Sequence, residues 1–142
     1  MMKITIKGDR AFVSLNKMKN ATDQGIRRAF YFSGKELTKQ ANRLILDPPK
    51  TGRVYRIGNK RHQASAPGQA PANLSGVLRR SVDFNVKGST ELEFGAKADY
   101  AKYLEQGTQK MAARPYLLPA IYKQQRNMLA FFEKWIKTEV ES

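Results

Sequence analysis

Two short runs of alternating side chains leave the middle of this chain little freedom. Val82, Phe84 and Val86 fall on one side of an extended backbone and Asp83, Asn85 and Lys87 on the other; after Gly88-Ser89-Thr90 the alternation resumes at Leu92, Phe94 and Ala96. A period of two marks a strand with one buried face, so the two runs predict an antiparallel hairpin over residues 82–97. The same pattern selects the register. A two-residue turn at 88 and 89 would set Val86 opposite Glu91, whereas a loop of 88–90 sets Val86 opposite Leu92, Phe84 opposite Phe94 and Lys87 opposite Glu91. The second arrangement places every apolar side chain on one face, and that face must be covered. Because its neighbours share the same buried phase, the Phe84–Phe94 pair reads as core rather than as a platform for stacking bases.

Two amphipathic helices supply the cover. Ile26, Ala29, Phe30, Leu37, Ala41, Leu44 and Ile45 recur at helical spacing over about 22–46, with Asn20 or Thr22 as the N-cap and Asp47-Pro48-Pro49 as the stop. A second helix over about 119–140 starts at Pro119, a favourable first helical position. Its stripe is Ile121, Tyr122, Met128, Leu129, Phe132, Trp135, Ile136 and Val140. Met2–Lys7 alternates as a strand that buries Ile4 and Ile6 and closes at Gly8-Asp9, and Phe12, Val13 and Leu15 suggest a short helix. Asn73-Leu74-Ser75 can cap another through Ser81, with Leu74, Val77 and Leu78 as its apolar side. The expected fold is α+β, one domain over residues 1–142. A small antiparallel sheet, made of the N-terminal strand, a loop strand and the 82–97 hairpin, packs on the long helix and the C-terminal helix.

Residues 47–73 hold four of the six prolines together with Gly52, Gly58 and Gly68, and only Arg53–Ile57 offers a strand-like run among them. So long an irregular segment in a small domain is usually functional or ordered by a partner. It is also basic: from Pro48 to Val82 there is no carboxylate, while Lys50, Arg53, Arg56, Lys60, Arg61, Arg79 and Arg80 crowd the span. The net charge of +14 predicts attraction to nucleic acid or to a protein of opposite sign.

The residues that chemistry needs are scarce. His62 is the only histidine, sits among Lys60, Arg61 and Gln63, and together with the charge is the only support for a small basic ribonuclease. Without cysteine or a second histidine no disulfide or zinc site can form, and Glu91 and Glu93 at i, i+2 on an exposed strand face need no metal to explain them. Phosphate-binding glycine loops are absent. No run approaches the ~20 apolar residues of a membrane helix, and Met1–Arg10 has no apolar leader core, so a soluble protein made inside the cell is expected. These features point away from catalysis, cofactors and metals.

Between the hairpin and the last helix, Tyr100, Tyr103 and Leu104 recur at helical spacing, Gly107 ends that turn, and Pro115 and Pro119 bracket Tyr116-Leu117-Leu118. Tyr103, Leu104, Tyr116 and Leu117 are expected to join hairpin and helix in the core.

Three motifs, in order, carry a resemblance. They are Thr51-Gly52-Arg53-Val54-Tyr55 with His62-Gln63-Ala64-Ser65-Ala66-Pro67-Gly68-Gln69-Ala70-Pro71; Ser75-Gly76-Val77-Leu78-Arg79-Arg80-Ser81; and Tyr100-Ala101-Lys102-Tyr103-Leu104-Glu105 with Gly107-Thr108 and Ala113-Arg114-Pro115-Tyr116-Leu117 and Pro119-Ala120. In these motifs and in its helix layout, nearly the whole chain resembles the small neck or tail-completion proteins, the minor tail components, of long-tailed bacteriophages. It departs at Gln106, where an aromatic residue is common, and at Leu118, where a basic one often sits. The resemblance implies a non-catalytic structural virion protein at the head–tail junction, made in the host bacterial cytoplasm. It would form a homo-oligomeric ring that joins the head connector to tail terminator or tube proteins, with DNA passing without sequence specificity and no membrane contact.

Under that reading Arg53, Tyr55, Arg56, His62, Pro67 and Pro71 are candidates for an inter-subunit arm, and Glu105, Gln106, Gly107, Thr108 and Arg114 for the ring interface. The alternative is a basic nucleic-acid-binding module, with Lys50, Lys60, Arg61, Arg79 and Arg80 on phosphates, aided by Arg53 and Arg56, and Tyr55 as a stacker.

Overall fold

A computed structural model describes residues 2–7, 23–47, 49–88 and 91–141, with Lys7, Asp23 and 135–141 described by backbone alone. The expectations at Gly8-Asp9, Phe12–Leu15, Asn20 and Thr22, and those for the side chains of Trp135, Ile136 and Val140, lie outside what is described.

Strands β1 (Met2–Lys7), β4 (Val82–Lys87) and β5 (Glu91–Ala96) form an antiparallel sheet in the order β1-β5-β4. The hairpin pairs Val86 with Leu92, Phe84 with Phe94 and Lys87 with Glu91, the register its pattern predicts. With β1 added, three apolar rows cross the inner face: Met2–Ala96–Val82, Ile4–Phe94–Phe84 and Ile6–Leu92–Val86. On the outer face Lys87 and Lys3 hold the Glu93 carboxylate at 2.7 and 3.5 Å, and Lys97 meets Asp83 at 3.3 Å.

The long helices α1 (Asp23–Leu46) and α4 (Leu117–Glu141) pack extensively on each other, and α1 also covers β4 and β5. All seven residues of the predicted α1 stripe are buried. Phe30 of α1 meets Phe132 of α4 edge-on at 5.0 Å, an orientation that aromatic quadrupoles favour. Nearby, buried Gln124 donates to Gln40 at 3.0 Å and accepts from Asn127 at 2.8 Å, which satisfies an amide inside an otherwise apolar seam. Gly34 lets α1 approach the sheet, because a Cβ there would overlap the Phe84 ring.

Several expectations are corrected. The loop strand β2 (Val54–Ile57) forms but pairs with a strand the pattern did not announce, β3 (Lys60–Gln63), in a separate two-stranded sheet. The short helix α2 (Val77–Ser81) starts after Gly76, which holds φ 79°; it buries Leu78 but leaves Leu74 and Val77 exposed. On α4 the buried line is Leu117, Ala120, Ile121, Gln124, Met128 and Phe132, while Tyr122 is 67% exposed and Leu129 is exposed as well. Tyr122 lies about 130° around the helix from the centre of that line, so it points away from α1.

Helix α4 also begins two residues before Pro119, and the reason lies in α3 (Ala101–Gln106). The side chain of Glu105, only 4% exposed, reaches under the first turn of α4. Its Oε2 accepts the Tyr116 and Leu117 amides at 2.8 and 2.9 Å, and Oε1 accepts Leu118 at 2.9 Å. Pro119 has no N–H to satisfy, so the leading donors of α4 are all accounted for. A carboxylate at a helix N-terminus is further favoured by the macrodipole. Gly107, at φ 76°, ends α3 and turns the chain back, and a Cβ there would meet the Ala113 amide nitrogen at 2.8 Å.

Glu105→Ala leaves three inward-facing amides without an acceptor and is expected to lower unfolding stability by about 3 kcal/mol in urea denaturation; Glu105→Gln, which keeps a carbonyl acceptor, is expected to lower it by about 1 kcal/mol.

Candidate functional site

Residues 47–73 are expected to be irregular apart from Arg53–Ile57, yet the described stretch 49–73 is organised. Gly58, at φ 61°, and Asn59 make a two-residue turn between β2 and β3, with the left-handed residue first, as in the tight turns that match strand twist. The register sets Tyr55 opposite His62, their rings edge to face at 5.2 Å. At the base, Gly52 donates to Ala64 O at 2.9 Å and Ala64 to Arg53 O at 3.0 Å. Ala66-Pro67-Gly68-Gln69 then closes a turn, with Gln69 donating to Ala66 O at 3.0 Å and Gly68 at φ 82°. This is proline at the second position and glycine at the third, the chemistry of a type II turn.

The Gln69 amide fastens both arms of the loop. Its oxygen accepts the Thr51 and Ala66 amides at 3.1 and 2.8 Å, and its nitrogen donates to the Thr51 hydroxyl at 2.9 Å. Gly68 donates to Ala113 O at 3.0 Å, which anchors the loop to the 100–121 stretch. Only the hairpin itself projects. Every residue from Arg53 to Arg61 is exposed, including Val54, Tyr55 and Ile57. Two four-residue strands bare on both faces make a marginal structure by themselves, and apolar side chains on both faces suit insertion against another surface.

Between the root of this hairpin and the body lies a cleft of about 250 Å³, into which the three sequence motifs converge. Tyr55, His62 and Pro71 come from the first, Gly76 and Leu78 from the second, and Tyr100, Leu104 and Arg114 from the third. Leu74, 57% exposed, stands on its rim. Arg114 donates its backbone amide to Leu104 O at 2.6 Å, but its Nε is buried without an acceptor, as is that of Arg79. Aromatic faces, an exposed leucine and an unmatched guanidinium are what a protein segment with one acidic or carbonyl acceptor would need.

The remaining sequence candidates divide. Glu105 is not a surface contact, because it is turned inward as the α4 cap. Tyr103, expected in the core, is 54% exposed, whereas Tyr116 and Leu117 are fully buried. Gln106 and Thr108 are exposed, Gly107 is half-buried, and Thr108 donates to Met111 O at 2.8 Å in the turn beside them. Pro67 shapes its turn and Pro71 is buried in the cleft wall.

The five phosphate-contact candidates do not act alike. Lys50 donates to Leu44 O at 2.8 Å, capping the C-terminal end of α1, and burial pushes its ammonium below the usual lysine range. The Arg80 guanidinium lies over Gly76 and bonds Ser75 O at 3.4 Å. Lys60 and Arg61 are exposed on the hairpin. Among the described residues no group of three or more acidic or histidine side chains could hold a metal ion, and no helix is long and apolar enough to cross a membrane. Comparison of the chain with protein-family models, with curated proteins and with solved structures yields no match.

Behind the cleft, burial, then the Glu105 charge, then Tyr100 push the Tyr116 hydroxyl well above the usual tyrosine range. The unfolded chain releases that proton at about pH 10 while the folded chain keeps it, so above that pH Tyr116 lowers stability as pH rises. Tyr116→Phe is expected to leave the tyrosinate absorbance of the native protein unchanged in an alkaline titration and to flatten the fall of its urea midpoint above about pH 10.

Proposed function

We propose that this chain is a structural virion protein of the phage head–tail junction, a neck or tail-completion component that assembles as a ring and joins the head connector to the tail. The observation that carries the reading is the convergence of the three family-like motifs on one cleft at the root of a projecting hairpin. Residues that lie far apart in sequence and share no chemistry with each other have a common purpose if a neighbouring subunit seats there. The hairpin of one subunit is the arm, and the cleft is where a chain segment of the next subunit or ring docks.

Within this reading Arg53, Tyr55 and Arg56 make the arm's contacts, and Tyr100, Leu74 and Arg114 form the receiving side. Gln106, Thr108 and Lys110 sit on the exposed turn beside it. Use of Lys50, Lys60, Arg61, Arg79 and Arg80 as a nucleic-acid site is less favoured, because Lys50 and Arg80 are already engaged with backbone carbonyls.

The test removes the arm and spares its anchor. Replacing Val54–Gln63 by a short glycine link keeps Ser65, Gln69 and the turn at Pro67-Gly68. Native mass spectrometry with and without a head connector ring is expected to show ring or connector-bound species for the intact chain and monomer for the variant, with equal circular dichroism. Unchanged assembly of the variant would overturn the proposal.

A further inference from the structure

The solvent face of α1 carries a row of cations that neither the core nor the cleft uses. Arg27, Lys35, Lys39 and Arg43 are exposed and, with Tyr31, follow one another at four-residue steps. At 1.5 Å per residue the row is about 24 Å long, and as an i, i+4 ridge it crosses the helix face obliquely. No carboxylate among the described residues pairs with any of the four. Lys35 instead rests its ammonium 5.6 Å from the centre of the Tyr31 ring. Like charges one helical turn apart repel, so Lys35, Lys39 and Arg43 in series weaken the isolated helix. A partner of opposite sign reverses that penalty.

The surroundings say which partner. Open grooves of about 630 and 500 Å³ run beside the row, where α1 lies along β4, so the cationic heads overhang space rather than protein. Gln24, Thr38 and Asn42 stand among the cations, and Arg28, Tyr31, Leu46, Val86 and Phe84 complete the groove linings. Protein interfaces deplete lysine at their centres. A linear array of Lys and Arg with amide and hydroxyl side chains between them is instead the equipment for phosphate oxygens.

We infer that the outer face of α1 is a sequence-independent binding surface for the phosphate backbone of duplex DNA, with Lys35, Lys39 and Arg43 as its centre and Arg27 as an extension. The surface is separate from the hairpin and cleft, and the inference stands whether or not the ring reading holds.

The experiment is binding of a random-sequence DNA duplex by fluorescence anisotropy across a salt series. It compares the wild type with Lys35→Gln/Lys39→Gln/Arg43→Gln and with a hairpin control, Arg53→Gln/Arg56→Gln/Lys60→Gln/Arg61→Gln. Loss of three phosphate contacts is expected to reduce the slope of log K against log salt by about 2.7 per bound subunit in the α1 variant, with thermal unfolding no earlier than wild type. The hairpin control is expected to keep the larger share of the slope. An α1 variant with the wild-type slope, or a wild type without salt-dependent binding, would overturn the inference; assembly measured without DNA reports separately on the ring.

Discussion

The carboxylate of Glu105 fixes how the two halves of this fold meet. Helix α4 carries a large part of the core, from Leu117 to Phe132, and its N-terminus is buried against α3. Three amide donors lie there away from water, and a helix cannot satisfy its own first turn. One side chain with two oxygens serves all three, and the following proline spares a fourth. The position of α3 relative to α4 follows from this, and with it the Gly107 turn and the strand-like pair at Thr108 and Met111. Because Gly68 bonds Ala113 in the same stretch, the loop that carries the hairpin is seated on the same foundation. The cleft lies between these parts and takes its shape from them.

Much of this was readable from periodicity. The hairpin register followed from requiring one apolar face, and α1 from a stripe ended by two prolines; both depend on patterns within a few residues. What escaped depended on contacts between distant residues. Glu105 looks like a surface carboxylate in a polar turn, and nothing within a few residues reveals that Tyr116, Leu117 and Leu118 will present their amides to it. Pro119 is a good first helical residue, but the cap sets the start earlier, and a proline tolerates any position in a first turn. Gly34 sits inside a helix with no local sign that Phe84 fills the space beside it. One miss was avoidable: Gly58-Asn59 between Ile57 and Lys60 is a recognised two-residue turn signal, obscured by the charge of the second strand.

The site was legible in its parts and not in its assembly. Each motif could be quoted from the sequence, whereas the convergence of Tyr55, Leu78, Tyr100 and Arg114 on one cleft is a product of the fold. The distribution of charge gained the same kind of definition. Acidic groups are occupied in the sheet's outer face and in the α4 cap, and Lys50 and Arg80 are tied to backbone carbonyls. What stays exposed includes the hairpin and the face of α1, two surfaces of different character.

Native-state amide hydrogen exchange at Tyr116, Leu117 and Leu118 tests the role of Glu105 most directly. First-turn amides of a helix ordinarily exchange fast, since they lack intrahelical acceptors. With the Glu105 carboxylate as their acceptor, the three are expected to be protected close to the level of global unfolding and to lose that protection together in Glu105→Ala. Fast exchange at these three amides in the wild-type protein, at the rate of a frayed helix end, would contradict the account.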